Sequence, residues 1–127
     1  MNEILAEMAA RLDGVRLLTV TDSDCMVLAY WESPDNQVSP EALGQFVQQI
    51  KNTISNLKQS ASSLSKLDDI VIGTPASYTM IRPICNGSCF IVVDSPRAVS
   101  LGAIRTAFTA FTPRLEQAIP GYEPVSS

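Results

Sequence analysis

The 127-residue sequence predicts an α+β three-layer sandwich in the order αββαβββα, a five-stranded and mostly antiparallel sheet covered by helices on both faces. Three observations predict it. Val15 to Thr21 and Cys25 to Trp31 are short β-branched, aromatic and aliphatic runs joined by Asp22-Ser23-Asp24, the mark of a hairpin. A long amphipathic stretch begins at Ser39. Finally, Cys89-Phe90-Ile91-Val92-Val93 is apolar at every position, so both its faces must be covered and it belongs at the centre of the sheet.

The elements follow in order. Asn2 is placed to cap a first helix over about residues 2 to 12, with Ile4, Leu5, Met8 and Leu12 on one side and Asp13-Gly14 as its stop. After the hairpin and a polar turn from Glu32 to Gln37, Ser39-Pro40-Glu41 supplies an N-cap, a proline at the first helical position and an acid facing the helix dipole. Leu43, Phe46, Val47, Ile50, Ile54, Leu57, Ala61 and Leu64 then share one side of a helix about 24 residues long. Ile70-Val71-Ile72 and Tyr78-Thr79-Met80-Ile81 are the next strands, and Asn86-Gly87 turns the chain into the apolar fifth strand. Leu101, Ile104, Phe108, Phe111 and Leu115 mark a last helix ending near Ile119-Pro120-Gly121, which Pro113 is expected to kink or split.

Length argues for one domain, drawn here as residues 1–122 with a flexible tail at 123–127. No apolar run approaches the roughly 18 residues a spanning helix needs, and an acid stands where a secretion signal would carry positive charge, so a cytoplasmic protein without membrane insertion is expected. A net charge of -4 and a pI of about 4.6 disfavour nucleic acid as a partner. The acidity is uneven. Residues 1–38 hold seven acids against two bases, whereas residues 39–66 hold Glu41 against Lys51, Lys58 and Lys66.

The chemistry of catalysis is thinly represented. Histidine is absent, which removes His-dependent triads and the commonest metal ligand. Cys85 and Cys89 bracket the Asn86-Gly87-Ser88 turn and read, with Cys25, as buried free thiols; an enzyme built on Cys25 or Cys89 lacks a visible base. Asp22, Asp24, Asp68 and Asp69 suit turns and caps better than acid-base work, and Arg105, in mid-helix, suits pairing with a carboxylate better than reaching into another active site. The six glycines are isolated and none forms a phosphate loop. A non-enzymatic chain with no cofactor and no metal is expected.

The second helix carries the strongest surface signal. Its outer side is Gln45, Gln48, Gln49, Asn52, Asn56 and Gln59, polar yet almost uncharged, with Lys51 and Lys58 one heptad apart. Amides lose far less than ions on desolvation and bond readily to a partner, so this face reads as an interface rather than as a solvated surface in a glutamine-rich segment. The lysines would speed encounter with an acidic partner. Ile70, Val71 and Ile72 form a candidate edge strand, open to a second copy unless Asp68, Asp69 and a neighbouring loop shield it.

Three local features, Leu12-Asp13-Gly14-Val15, Asn86-Gly87 before the apolar strand ending at Asp94, and Leu101-Gly102-Ala103-Ile104-Arg105, occur in an order and spacing that resemble the Roadblock/dynein light chain family, including its bacterial gliding-motility members. The resemblance spans about residues 2 to 119. It departs at Ser23-Asp24, where family members often carry Asp-Gly, and at Pro83, which falls in a strand the family makes interior; a bulge or a strand end beside the turn would accommodate it. The resemblance implies a profilin-like, Roadblock three-layer fold whose third strands and middle helices pair across a twofold axis. It also implies a homodimer that acts on a small Ras-like GTPase or another partner complex. The alternative is a sensory domain of profilin-like topology holding a small ligand between sheet and helix, with Tyr30, Trp31 and Tyr78 lining the pocket.

Overall fold

A computed structural model describes residues 1–60 and 69–121, with the backbone alone for 57–60. Its elements are α1 (Asn2–Arg11), β1 (Leu17–Thr21), β2 (Val27–Glu32), α2 (Pro40–Ser60), β3 (Ile70–Gly73), β4 (Ser77–Ile84), β5 (Cys89–Pro96) and α3 (Leu101–Ala118), with a 3-10 turn at Cys85–Gly87. The order αββαβββα is the one the sequence predicts.

Local chemistry explains the joints. The Asp22 carboxylate accepts from the N–H groups of Asp24 at 2.9 Å and Met26 at 3.0 Å, which closes the β1–β2 turn and leaves Cys25 at a φ of 60°. Ser39 caps α2 as expected, its hydroxyl accepting from the Ala42 N–H at 3.0 Å. Ser100 does the same for α3, through the Ala103 N–H at 3.1 Å. Cys85, Asn86 and Gly87 all have positive φ, so the Asn86-Gly87 pair makes the β4–β5 turn as its composition requires.

All strand neighbours are antiparallel, in the order β2-β1-β5-β4-β3. β5 therefore lies at the centre, and every residue from Cys89 to Ser95 is buried. Alternation divides the core in two. Ile91 and Val93 pack with Leu5, Met8, Ile104, Phe108, Phe111 and Leu115 of α1 and α3. Phe90 and Val92 pack on the other face with Leu17, Ile81, and Leu43 and Val47 of α2.

Two expectations are corrected, those for Asn2 and Pro113, and Pro83 takes the second of the two places expected of it. Asn2 is the first residue of α1 and does not cap it; its side-chain oxygen instead accepts from the Tyr30 N–H of β2 at 3.2 Å. Pro83 sits in no bulge, since the β4–β5 register runs unbroken from Ser77↔Pro96 to Ile84↔Cys89. It lies next to the strand end, and the β3–β4 ladder stops at Ile70↔Ile81, so β3 requires no donor from it. Pro113 does not split α3, which runs on to Ala118. α2 is described to Ser60, and the expected residues Ala61 and Leu64 lie outside the described residues, as do 122–127.

Candidate functional site

One edge of the sheet is β3, which among the described residues has β4 as its one neighbour; the other edge is β2. Ile70 and Ile72 stand opposite Ile81 and Thr79 on the face that α2 covers, and both are half-buried. Val71 stands opposite Met80 on the other face and is 36% exposed. The ladder is short, apolar and free of bulges.

Its start is anchored by charge. Asp69 receives two hydrogen bonds from Arg82, from Nε at 2.6 Å and Nη2 at 3.1 Å, and a third from Arg105 Nε at 3.3 Å. Arg82 also donates to the Thr109 hydroxyl at 2.9 Å and lies over the Phe108 ring, so β4 and α3 together hold the head of β3. The guanidinium of Arg82 is the main reason the Asp69 carboxyl sits below the usual carboxylate range. Arg105 thus has the structural carboxylate partner expected of it. Asp68, its sequence neighbour, lies outside the described residues.

α2 is seated by a close approach at Gly44. A Cβ there would stand 2.6 Å from the Cys25 carbonyl oxygen, so the helix can lie against the hairpin tip only because the side chain is missing. Lys51 fixes the same contact farther along. Its ammonium donates to the Ser23 carbonyl at 2.5 Å and lies 5.9 Å from the Phe90 ring centroid. This lysine, expected as a free steering charge, is half-buried and ties α2 to the hairpin.

Four of the amides form an exposed row on α2. Gln45, Gln49, Asn52 and Asn56 are exposed, at spacings that put them on one side of the helix, opposite Leu43 and Val47. Gln48 is half-buried and its amide reaches Asn52 Oδ1 at 3.4 Å. The side chains of Lys58 and Gln59 are outside what the structure describes.

The apolar side of α2 is not buried throughout. Phe46, Ile50 and Ile54 are only half-buried, leaving an apolar flank on α2 beside its buried row; Ile50 and Ile70 both pack on the α2-side core. The signal was present in the breadth of the apolar stripe, wider than one sheet contact consumes.

The other candidates settle differently. Cys25, Cys85 and Cys89 are free and buried. Burial and the neighbouring Cys89 push the Cys85 thiol up to about 12, and burial raises Cys25, which is the opposite of nucleophile activation. Among the described residues no group of three or more His, Cys, Asp or Glu side chains could hold a metal, and no helix is long and apolar enough to cross a membrane. Of the aromatics assigned to a ligand pocket, Trp31 lines an open groove, Tyr30 is exposed on β2 and Tyr78 lies under the Arg97 guanidinium.

A five-stranded antiparallel sheet with α2 on one face and α1 and α3 on the other defines a profilin-like α+β sandwich. Solved structures narrow this. A Roadblock/LC7 domain from Streptomyces avermitilis matches with a TM-score of 0.80 and 8% identity over 93% of this chain and 96% of its own. Myxococcus xanthus MglB matches at 0.76 and 10% identity over 92% of each chain, and an MglB described as having a tetrameric arrangement matches at 0.75 and 15% identity over 91% and 84%. The chain has the Roadblock/LC7 fold. No family model and no curated protein matches the sequence, and at these identities the likeness is one of fold.

Proposed function

We propose that the chain is a non-catalytic Roadblock-type scaffold or regulator, forming a homodimer through β3 and the apolar flank of α2 and presenting the amides of α2 to a small Ras-like GTPase or another protein complex. The observation that carries the reading is the coincidence of an open apolar strand edge, Ile70-Val71-Ile72, with the half-buried Phe46, Ile50 and Ile54 on the helix covering the same face. Pairing two β3 strands would satisfy their free backbone groups, and laying two α2 helices together would bury those side chains. The amide row of Gln45, Gln49, Asn52 and Asn56 points away from the sheet and would remain outward as a docking floor, extended by Lys58 and Gln59. Lys51 and Gln48 would border it. The resemblance in sequence to gliding-motility regulators, and the tetrameric arrangement named for one structural neighbour, agree with an oligomeric regulator. The GTPase would be bound and biased through its own switch elements, with no catalytic side chain donated.

Sedimentation equilibrium tests the reading. The wild-type chain is expected to be a dimer, and Val71→Lys should raise the dimer dissociation constant at least about tenfold, because it sets like charges on a pairing edge. Gln49→Glu, on the outward floor, should leave that constant unchanged. A wild-type chain that stays monomeric at about 100 μM, a concentration at which even a weak dimer of micromolar affinity is assembled, refutes it.

A further inference from the structure

Between α1 and the end of β2 lies an open groove of about 740 Å³. Ala6, Ala9 and Ala10 fall at i, i+3 and i+4 on one face of α1 and make a wall of minimal height, while the half-buried Trp31 supplies a second apolar surface. Ala6 and Ala10 are exposed, so packing does not require them to be small. Their size is what leaves the groove open.

Four polar residues stand in the same groove. Arg16 is half-buried and makes no ion pair among the described residues; Asp13 and Asp35 are exposed and likewise unpaired. The Ser33 hydroxyl is buried with no hydrogen-bond partner, an unusual state for a polar atom.

The groove is of mixed lining, an alanine and tryptophan wall beside convergent polar groups, and the signs of those groups select the ligand. A simple anion would meet two carboxylates, and a simple cation would leave the half-buried guanidinium with only Asp94, beyond ion-pair distance, as a counter-charge. A zwitterion answers both. We propose that the groove binds a small apolar L-amino acid or a close zwitterionic analogue, its carboxylate on Arg16, its ammonium on Asp13 or Asp35, and its side chain against Trp31 and the alanine wall. The site is independent of β3 and of the amide floor, so a ligand there could regulate a scaffold without competing for its partner surface.

Trp31 is the single tryptophan and lines the groove, so a saturable change in its emission at unchanged melting temperature reads binding there rather than a change in the core it also touches. The full chain should be titrated with L-phenylalanine, L-leucine and L-methionine, and with phenethylamine and 3-phenylpropionate as analogues lacking one charge each. Saturable emission changes with half-points below about 10 mM are expected for at least one amino acid, with the single-charge analogues at least about tenfold weaker. Ala10→Leu and Arg16→Gln should each weaken binding at least about tenfold without lowering the melting temperature, and Ala6→Leu substitutes if Ala10→Leu does not fold. No saturable response to any of the three amino acids, equal binding of phenethylamine, or undiminished binding by the leucine variant overturns the proposal.

Discussion

Gly44→Ala sets two principles against each other. In an exposed helix the change stabilises by about 1 kcal/mol, since alanine is the better helix former. Here the new Cβ would stand 2.6 Å from the Cys25 carbonyl oxygen, about 0.8 Å inside ordinary contact, and that oxygen belongs to backbone rather than to a side chain that can swing away. Cys25 is itself held at a φ of 60° by the Asp22 turn, so the hairpin tip has little freedom to retreat. α2 must therefore lift, opening gaps around Leu43 and Val47, which are 6% and 1% exposed. Overpacking costs about 1–3 kcal/mol, and a 2.6 Å contact with backbone falls in the upper part of that range, about 2–3 kcal/mol, which outweighs the propensity gain. A net loss of about 1–2 kcal/mol is expected, read by urea denaturation and as a fall of roughly 3–8 °C in Tm. A variant as stable as wild type, or more so, would show that α2 does not rest on the hairpin tip as described.

Two further outcomes follow from the ends of the sheet. Asp69→Asn removes the acceptor charge of three hydrogen bonds and should cost about 2–3 kcal/mol at pH 7. Because Arg82 holds the folded carboxyl below its ordinary value, the stabilisation is complete above the unfolded-state value near 4 and fades as pH falls through the lower folded value; Asn should flatten that acid limb in pH-dependent melting. Asn2→Ala frees the Tyr30 N–H on the β2 edge and should cost less than about 1 kcal/mol, yet light scattering at rising concentration should show species larger than the wild-type assembly. An unchanged size distribution would show that Asn2 does not guard the edge.

What the sequence reveals is what short spacing encodes. The Asp22 turn, the Ser39 cap and the Asn86-Gly87 turn each depend on groups within four residues, and the central place of β5 follows from its unbroken apolar run. What it conceals is set by contacts across the fold. Lys51 has the spacing of a free surface charge, and only the hairpin's position supplies the Ser23 carbonyl that captures it. Asn2 has the composition of a cap, and only the packing of α1 beside β2 turns it into an acceptor for Tyr30. Phe46, Ile50 and Ile54 satisfy the core period, but the sheet beneath α2 is too narrow to bury every row the helix carries. The Asp69 cluster joins residues 13 and 36 positions apart, beyond any local pattern.

The two sheet edges differ in a way that bears on assembly. β2 carries a register irregularity at Leu28, opposite Val20 and Thr21 of β1, has Asn2 set against one of its N–H groups, and ends on Glu32. Each is a known means of discouraging strand addition, and this edge needs them, for Met26, Leu28 and Tyr30 are 65%, 36% and 42% exposed along it. β3 carries none of these over Ile70–Gly73; the charge at its head, Asp69, is taken up by Arg82 of β4 and Arg105 of α3. A chain with two open edges can grow without limit, whereas a chain with one can only close on a twofold axis. The unequal protection of β2 and β3 is therefore what the proposed dimer requires, since a scaffold must stop at a fixed number of copies to present a fixed number of docking floors.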